Sequence, residues 1–158
     1  MSASKDKTLD LLGIGPDSPL DPSVRAFRTT LALAQKLRYL MDQRLREDGL
    51  TTQQAALITV VKAAGTPSMA EAAAALGSTH QNVAQIVAVL VRKELLEVVP
   101  DPADKRRKLL AATEAGAAYW RGRDEGDFAA VAEWFGDLSP EELETFCGLA
   151  DRVLGRLT

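Results

Sequence analysis

Four consecutive cations, Lys105-Arg106-Arg107-Lys108, and a run of hydrogen-bonding side chains, Thr79-His80-Gln81-Asn82 followed by Gln85, are the residues of this chain whose types and spacing suit a specific chemistry. That chemistry is recognition of a polyanion with readable edges. Gln and Asn amides carry a donor and an acceptor side by side and match adenine N6 and N7 in a major groove. Lys and Arg meet phosphates, and an Arg also enters a narrow minor groove. Asp104, two residues before Arg106, is expected to hold that guanidinium, because a prepositioned cation loses less side-chain entropy on binding.

Other chemistries are poorly supplied. His80 is the single histidine and Cys147 the single cysteine, which removes metal sites built from several imidazoles and any disulfide framework within the chain. No Ser, Cys or carboxylate stands at a nucleophile–base spacing from His80, so no catalytic residue, metal ligand or cofactor is expected. Cys147 falls among Phe146, Leu149 and Ala150 with no neighbouring cation, which reads as a buried structural thiol. The net charge of -3 argues against nucleic acid only as an average. From Asp124 to Asp151 the chain carries acidic residues and no Lys or Arg, while its cations cluster elsewhere. Fields are local at physiological salt, so the acidic end is expected to face away from a polyanion. The polar start and the lack of any apolar run of membrane-spanning length predict a cytoplasmic protein with no membrane partner.

The elements that position these residues follow from periodicity and capping. The 158 residues suit one compact domain with appendages. Residues 1–22, with Gly13, Gly15, Pro16, Pro19 and Pro22, read as a flexible arm holding at most a helical turn near Leu9 to Leu12. Val24, Phe27, Leu31, Ala34, Leu37, Met41 and Leu45 recur at helical spacing and predict a long helix that Gly49 ends. Thr51 with Gln54 and Ser68 with Glu71 are capping boxes opening two short helices, and Thr79 caps a third after the break at Gly77. Two helices joined by a short Gly-containing turn form a helix-turn-helix. Leu95 to Val99 and Lys108 to Ala112 then read as a hairpin with a cationic tip. Thr113 caps a helix towards Phe135, with a bend expected at Gly116, Gly122 and Gly126, and Ser139-Pro140-Glu141-Glu142 opens the last helix.

Helix-turn-helix followed by hairpin is a winged helix-turn-helix, which places one helix in the major groove and a loop on neighbouring phosphates or the minor groove. The expected fold is mainly α, with a two-stranded β wing and terminal helices outside it. The units are the arm at 1–22, the long first helix at 23–50, the winged helix-turn-helix at 51–112 and the C-terminal helices at 113–158. The expected DNA-facing residues are Ser68, Thr79, His80, Gln81, Asn82, Gln85, Lys105, Arg106, Arg107 and Lys108, with Asp104 orienting the wing.

Over residues 23 to 157 the chain resembles the MarR-type family of bacterial transcriptional regulators. The resemblance is carried by Ala75-Leu76-Gly77-Ser78-Thr79-His80-Gln81-Asn82-Val83, then Leu90, Arg92-Lys93 and Leu95-Leu96. The most specific part is Asp101-Pro102-Ala103-Asp104-Lys105-Arg106-Arg107 followed by Thr113-Glu114-Ala115-Gly116. The resemblance implies an intertwined homodimer whose first and last helices form the dimerisation layer, binding palindromic operators and often released by small-molecule effectors or oxidation. The chain departs from the family in having Glu94 where Gly is usual, and Val98 and Gln85 where Arg is common. Glu94 must therefore avoid a left-handed conformation or be strained by it.

Met41, Leu57, Val61 and Trp120, near the polar Tyr39 and Arg123, are the candidate lining of an effector site, although the same residues suit a core equally well. Isolated terminal helices would expose long apolar stripes, which also favours a symmetric dimer. The resulting expectation is a homodimeric regulator of double-stranded DNA, acting as a repressor at a pseudo-palindromic operator and released by a small-molecule effector. The alternative is a winged-helix protein-interaction module that has lost DNA binding.

Overall fold

The computed structural model describes residues 9–157. Residues 9–11 are helical, and the chain then turns to bury Ile14, whose carbonyl accepts from Arg25 Nε at 3.1 Å. Helix α1 (Pro22–Leu45) opens on Asp21, whose carboxylate accepts from the Ser23 N–H at 2.8 Å. Its last turn tightens into a 3-10 segment, Arg46–Asp48, and Gly49 stops it at φ 63°.

Helices α2 (Thr52–Ala64) and α3 (Met69–Ala75) each begin with both halves of a capping box, Thr51 with Gln54 and Ser68 with Glu71. After α3, Gly77 takes φ 56°, and the Gly77 and Ser78 N–H groups return to the Ala74 and Ala73 carbonyls at 3.1 and 2.9 Å. This closes a Schellman turn, so the next helix, α4 (His80–Arg92), starts at once under its Thr79 cap. The same motif ends α4: the Glu94 and Leu95 N–H groups reach the Val91 and Leu90 carbonyls, both at 2.9 Å. Here the left-handed residue is Glu94, at φ 58°. A Cβ in that region costs about 1–2 kcal/mol, so the chain accepts strain where glycine would relieve it.

Strands β1 (Leu96–Pro100) and β2 (Lys108–Ala112) pair antiparallel, with Leu96 opposite Ala112 and Pro100 opposite Lys108. The first strand starts one residue later than its apolar run, because Leu95 is used to close the turn. The segment before α3 joins the hairpin: the Leu110 N–H donates to Pro67 O at 2.8 Å, and Ser68 bridges Leu109. Leu57, Ile58 and Val61 of α2, Val83 and Leu90 of α4, and Leu96 and Leu110 of the hairpin are fully buried together with Leu45. Burial of side chains of this kind contributes about 2 kcal/mol each, so the core is formed where the helix-turn-helix and the wing meet.

Helix α5 (Glu114–Trp134) runs without interruption through Gly116, Gly122 and Gly126. Thr113 caps it by accepting from the Gly116 N–H at 2.9 Å, while its own hydroxyl donates to Glu94 O at 2.6 Å. Gly116 is buried because the Leu95 backbone passes directly over it. Helix α6 (Pro140–Leu157) meets the end of α5 through Phe135 and Phe146, whose ring centroids lie 6.2 Å apart. Its Phe146, Leu149, Val153, Leu154 and Leu157 are exposed, as are Val24, Phe27 and Leu31 of α1 and Phe128 of α5. Cys147 is exposed as well, which corrects the expectation of a buried thiol: the face of α6 that carries it covers no core among the described residues. No described helix is long and apolar enough to cross a membrane.

Candidate nucleic-acid interface

Helix α4 is amphipathic in the sense a reading helix needs. Val83, Ile86, Val87 and Leu90 face the core, leaving Thr79, His80, Gln81, Gln85, Ala88 and Arg92 exposed. Gln81, Gln85, Ala88 and Arg92 succeed one another at intervals of three and four, so they share one face. Gln81 and Gln85 present exposed amides on it.

Asn82 differs from both. Its backbone N–H donates to Thr79 Oγ1 at 3.2 Å, and its side-chain amide donates to Ser78 Oγ at 2.8 Å. The Asn82 amide thus braces the turn into α4 with one of its two N–H donors. Ser68 is likewise engaged. It is buried, its Oγ donates to Glu71 Oε2 at 2.7 Å, and the same hydroxyl receives the Glu71 N–H at 3.3 Å. These bonds make Ser68 a helix cap on the underside of the wing and not a residue facing outward.

The wing tip is folded by its aspartates. Asp101 Oδ1 accepts from the Ala103 N–H at 2.8 Å, and Asp104 Oδ1 from the Arg106 N–H at 3.0 Å. The Arg107 N–H donates to Asp104 O at 2.8 Å and the Asp101 N–H to Arg107 O at 3.0 Å, closing the loop. Asp104 therefore orients the wing through the Arg106 backbone, not by gripping its guanidinium as the sequence suggested, because a carboxylate two residues back reaches the amide first. Lys105, Arg106 and Lys108 are exposed. Arg107 is held: its Nη2 lies 2.9 Å from Glu71 Oε2 and its Nε 3.9 Å from Asp101 Oδ2. Hydrogen bonds from the Ser68 backbone and hydroxyl, then Arg107, lower Glu71 to about 2, so it is ionised at neutral pH. Sequence reasoning found Glu71 as a cap but missed this pairing, because nothing local joins residues 71 and 107.

The candidate effector residues divide. Leu57, Val61 and Trp120 are buried in the core, with Met41 packed against it. Tyr39 is exposed on α1 beneath Lys36 Nζ, 5.5 Å from its ring, and does not join them. Trp120 Nε1 is buried without a hydrogen-bond partner among the described residues, a state that costs about 1–3 kcal/mol for a neutral donor. Its ring meets Tyr119 edge-on, centroids 5.0 Å apart. Tyr119 donates to Asp48 Oδ2 at 2.6 Å; burial first, and then this bond, push its hydroxyl up to about 12. Arg123 pairs with Asp48 and with Asp127, which also receives Arg44 at 3.1 Å. This ionic chain, legible in the sequence only at Arg123, ties α5 to the end of α1. Lys93, after α4, donates to Asp48 O at 3.4 Å and extends the chain to that helix.

Comparison with known proteins agrees with this geometry. The sequence model described as the MarR family matches residues 48–107. No curated protein matches the chain in sequence. Among solved structures, a MarR family transcriptional regulator from Silicibacter pomeroyi superposes with a TM-score of 0.81 at 19% identity, covering 90% of this chain and 96% of that one. A mutant MarR from E. coli complexed with operator DNA gives 0.71 at 25% identity, covering 80% and 91%. The PcaV transcriptional regulator from Streptomyces coelicolor in complex with its natural ligand gives 0.69 at 22% identity, covering 88% and 98%.

Proposed function

We propose that this chain, a member of the MarR family of transcriptional regulators with its family domain at residues 48–107, binds a pseudo-palindromic DNA operator as a homodimer and represses transcription there. The family consists of regulators and not enzymes. The observation that carries the reading is the pairing of an exposed amide face on α4, Gln81 and Gln85, with a folded wing tip whose Lys105 and Arg106 are unpaired among the described residues. The relative solved with operator DNA supports the same use of the fold.

The dimer is supported by α6 and α1. Their exposed Phe146, Leu149, Val153, Leu154 and Leu157, with Val24, Phe27 and Leu31, are apolar side chains that a partner copy would cover. Two-fold symmetry would set the two α4 helices about one duplex turn apart, roughly 34–36 Å. Effector release is supported by Trp120 Nε1, buried without a hydrogen-bond partner among the described residues on the helix that also carries Arg123, where an acceptor on a small molecule would satisfy the indole. The PcaV complex shows a relative of this fold holding a ligand.

The competing reading, a winged-helix interaction module, rests on Val98, exposed on β1 where the family commonly has Arg. A gel-shift titration of genomic fragments decides between them. The proposal expects retention of specific fragments by micromolar dimer at low salt; folded protein that retains none refutes it.

A further inference from the structure

The wing and the helix-turn-helix meet at one carboxylate. Glu71 sits in the first turn of α3, and its Oε2 accepts from the Ser68 N–H and Oγ, both at 2.7 Å. These capping bonds orient the carboxylate, so the Arg107 guanidinium at 2.9 Å finds a fixed acceptor. Asp101 Oδ2, at 3.9 Å from Arg107 Nε, brackets the guanidinium from the wing's own first turn. Below the pair, Pro67 O and Ser68 already hold the backbone of β2. The hairpin is thus pinned to the start of α3 twice, by backbone at its stem and by Arg107 at its tip. Lys105 and Arg106 form no ion pair among the described residues.

From this geometry we propose that Glu71 and Arg107 form a latch that sets the direction of the wing, so that Lys105 and Arg106 meet DNA while Arg107 is a positioning residue. The proposal rests on the DNA-binding reading above and assigns a division of labour within its run of four cations. Both partners are largely exposed, and an exposed ion pair contributes little to global stability. Its effect falls on the loop it restrains. A short loop held in its bound direction avoids the ordering cost on binding, which a freely moving tip must meet each time.

Charge and positioning predict opposite signs for one substitution. Glu71→Gln keeps the capping box but removes a negative charge from a surface that faces a polyanion, which by charge alone tightens DNA binding. Loss of the latch weakens it. The experiment measures anisotropy of a labelled genomic duplex, the tightest fragment recovered with the full chain, across a salt series for Glu71→Gln, Arg107→Gln, the double variant and Arg106→Gln. The latch predicts that Glu71→Gln and Arg107→Gln each weaken binding by about two- to fivefold, with the double variant no weaker than either. It also predicts an unchanged salt slope for Arg107→Gln, while Arg106→Gln flattens the slope by about one charge per subunit. Tighter binding by Glu71→Gln, or a slope loss in Arg107→Gln equal to that of Arg106→Gln, overturns it. Hydrogen exchange of the DNA-free protein reads the latch separately. Glu71→Gln should speed exchange at residues 101–108 and leave α4 unchanged, and unchanged exchange in the wing refutes the latch even in a protein that binds DNA. Wild-type protein that binds no duplex, while its wing still loosens in Glu71→Gln, refutes the DNA-binding reading and leaves the restraint standing.

Discussion

Replacing Gly116 by alanine sets two effects of opposite sign against each other. In a helix interior alanine is favoured over glycine by about 0.8–1 kcal/mol, so propensity alone predicts stabilisation. The packing predicts the reverse. A Cβ at Gly116 would stand 2.9 Å from the Leu95 carbonyl carbon and 3.1 Å from its Cα, and closer still to the carbonyl oxygen. Unstrained contacts of a Cβ lie at about 3.5–4.0 Å and the Leu95 carbonyl oxygen stands closer than either carbon, so the start of α5 and the Leu95 backbone must separate by about 1 Å or more. No rotamer change relieves a clash with backbone, and the separation also stretches the Thr113 hydroxyl bond to Glu94 O, now 2.6 Å. Overpacking of this kind costs about 1–3 kcal/mol or more, and the half-buried Thr113 cap adds about 1 kcal/mol if broken. The net expectation for Gly116→Ala is destabilisation by about 2–3 kcal/mol. Gly122, in the same helix with nothing near its absent Cβ, is the control: Gly122→Ala should stabilise by about 0.5–1 kcal/mol. Urea unfolding followed by circular dichroism, at one fixed protein concentration so that subunit association does not shift the midpoint, measures both. Gly116→Ala as stable as the wild type would show that the close approach of Leu95 does not constrain this joint.

Three further outcomes follow from individual residues. Glu94→Gly removes a Cβ from a left-handed position and should raise stability by about 0.5–1 kcal/mol after the flexibility of glycine in the unfolded chain is subtracted, read from the same urea midpoints. Glu71 is held down to about 2 in the folded protein against an ordinary 4.5, so its contribution is present above pH 4.5 and lost as pH falls towards 2; the wild-type advantage over Glu71→Gln should shrink across that window in acid unfolding series. Leu149→Glu, on the exposed apolar face of α6, should shift the mass in sedimentation from dimer towards monomer while circular dichroism stays helical.

The parts of this fold legible in the sequence are those determined within a few residues. Thr51, Ser68, Thr79 and Thr113 mark helix starts because a side-chain oxygen three residues before a free N–H has one local use. The hairpin is equally local, apart from the one-residue delay that the Leu95 turn imposes. Contacts between distant segments were not legible. Gly116 reads as a weak point in a helix until the Leu95 backbone is seen to lie on it. Arg107 reads as one more cation until Glu71 is found beside it. Asn82 carries the amide of a base reader, yet that amide donates to Ser78. Tyr39 stands two residues from Met41 in the sequence but is exposed under Lys36. Cys147 reads as buried because its neighbours are apolar, whereas the described residues leave that apolar face uncovered.

If α4 reads base edges while the wing supplies charge, the ratio of cognate to random duplex affinity separates the two roles. For Gln81→Ala, losing a bidentate contact to adenine should cost roughly 1–3 kcal/mol on the cognate duplex and little on random DNA, so the ratio collapses. For Arg106→Ala both affinities should fall together, with the salt slope reduced by about one charge per subunit and the ratio preserved. A Gln81→Ala protein that keeps the wild-type ratio, together with an Arg106→Ala protein that keeps the wild-type salt slope, would contradict the account.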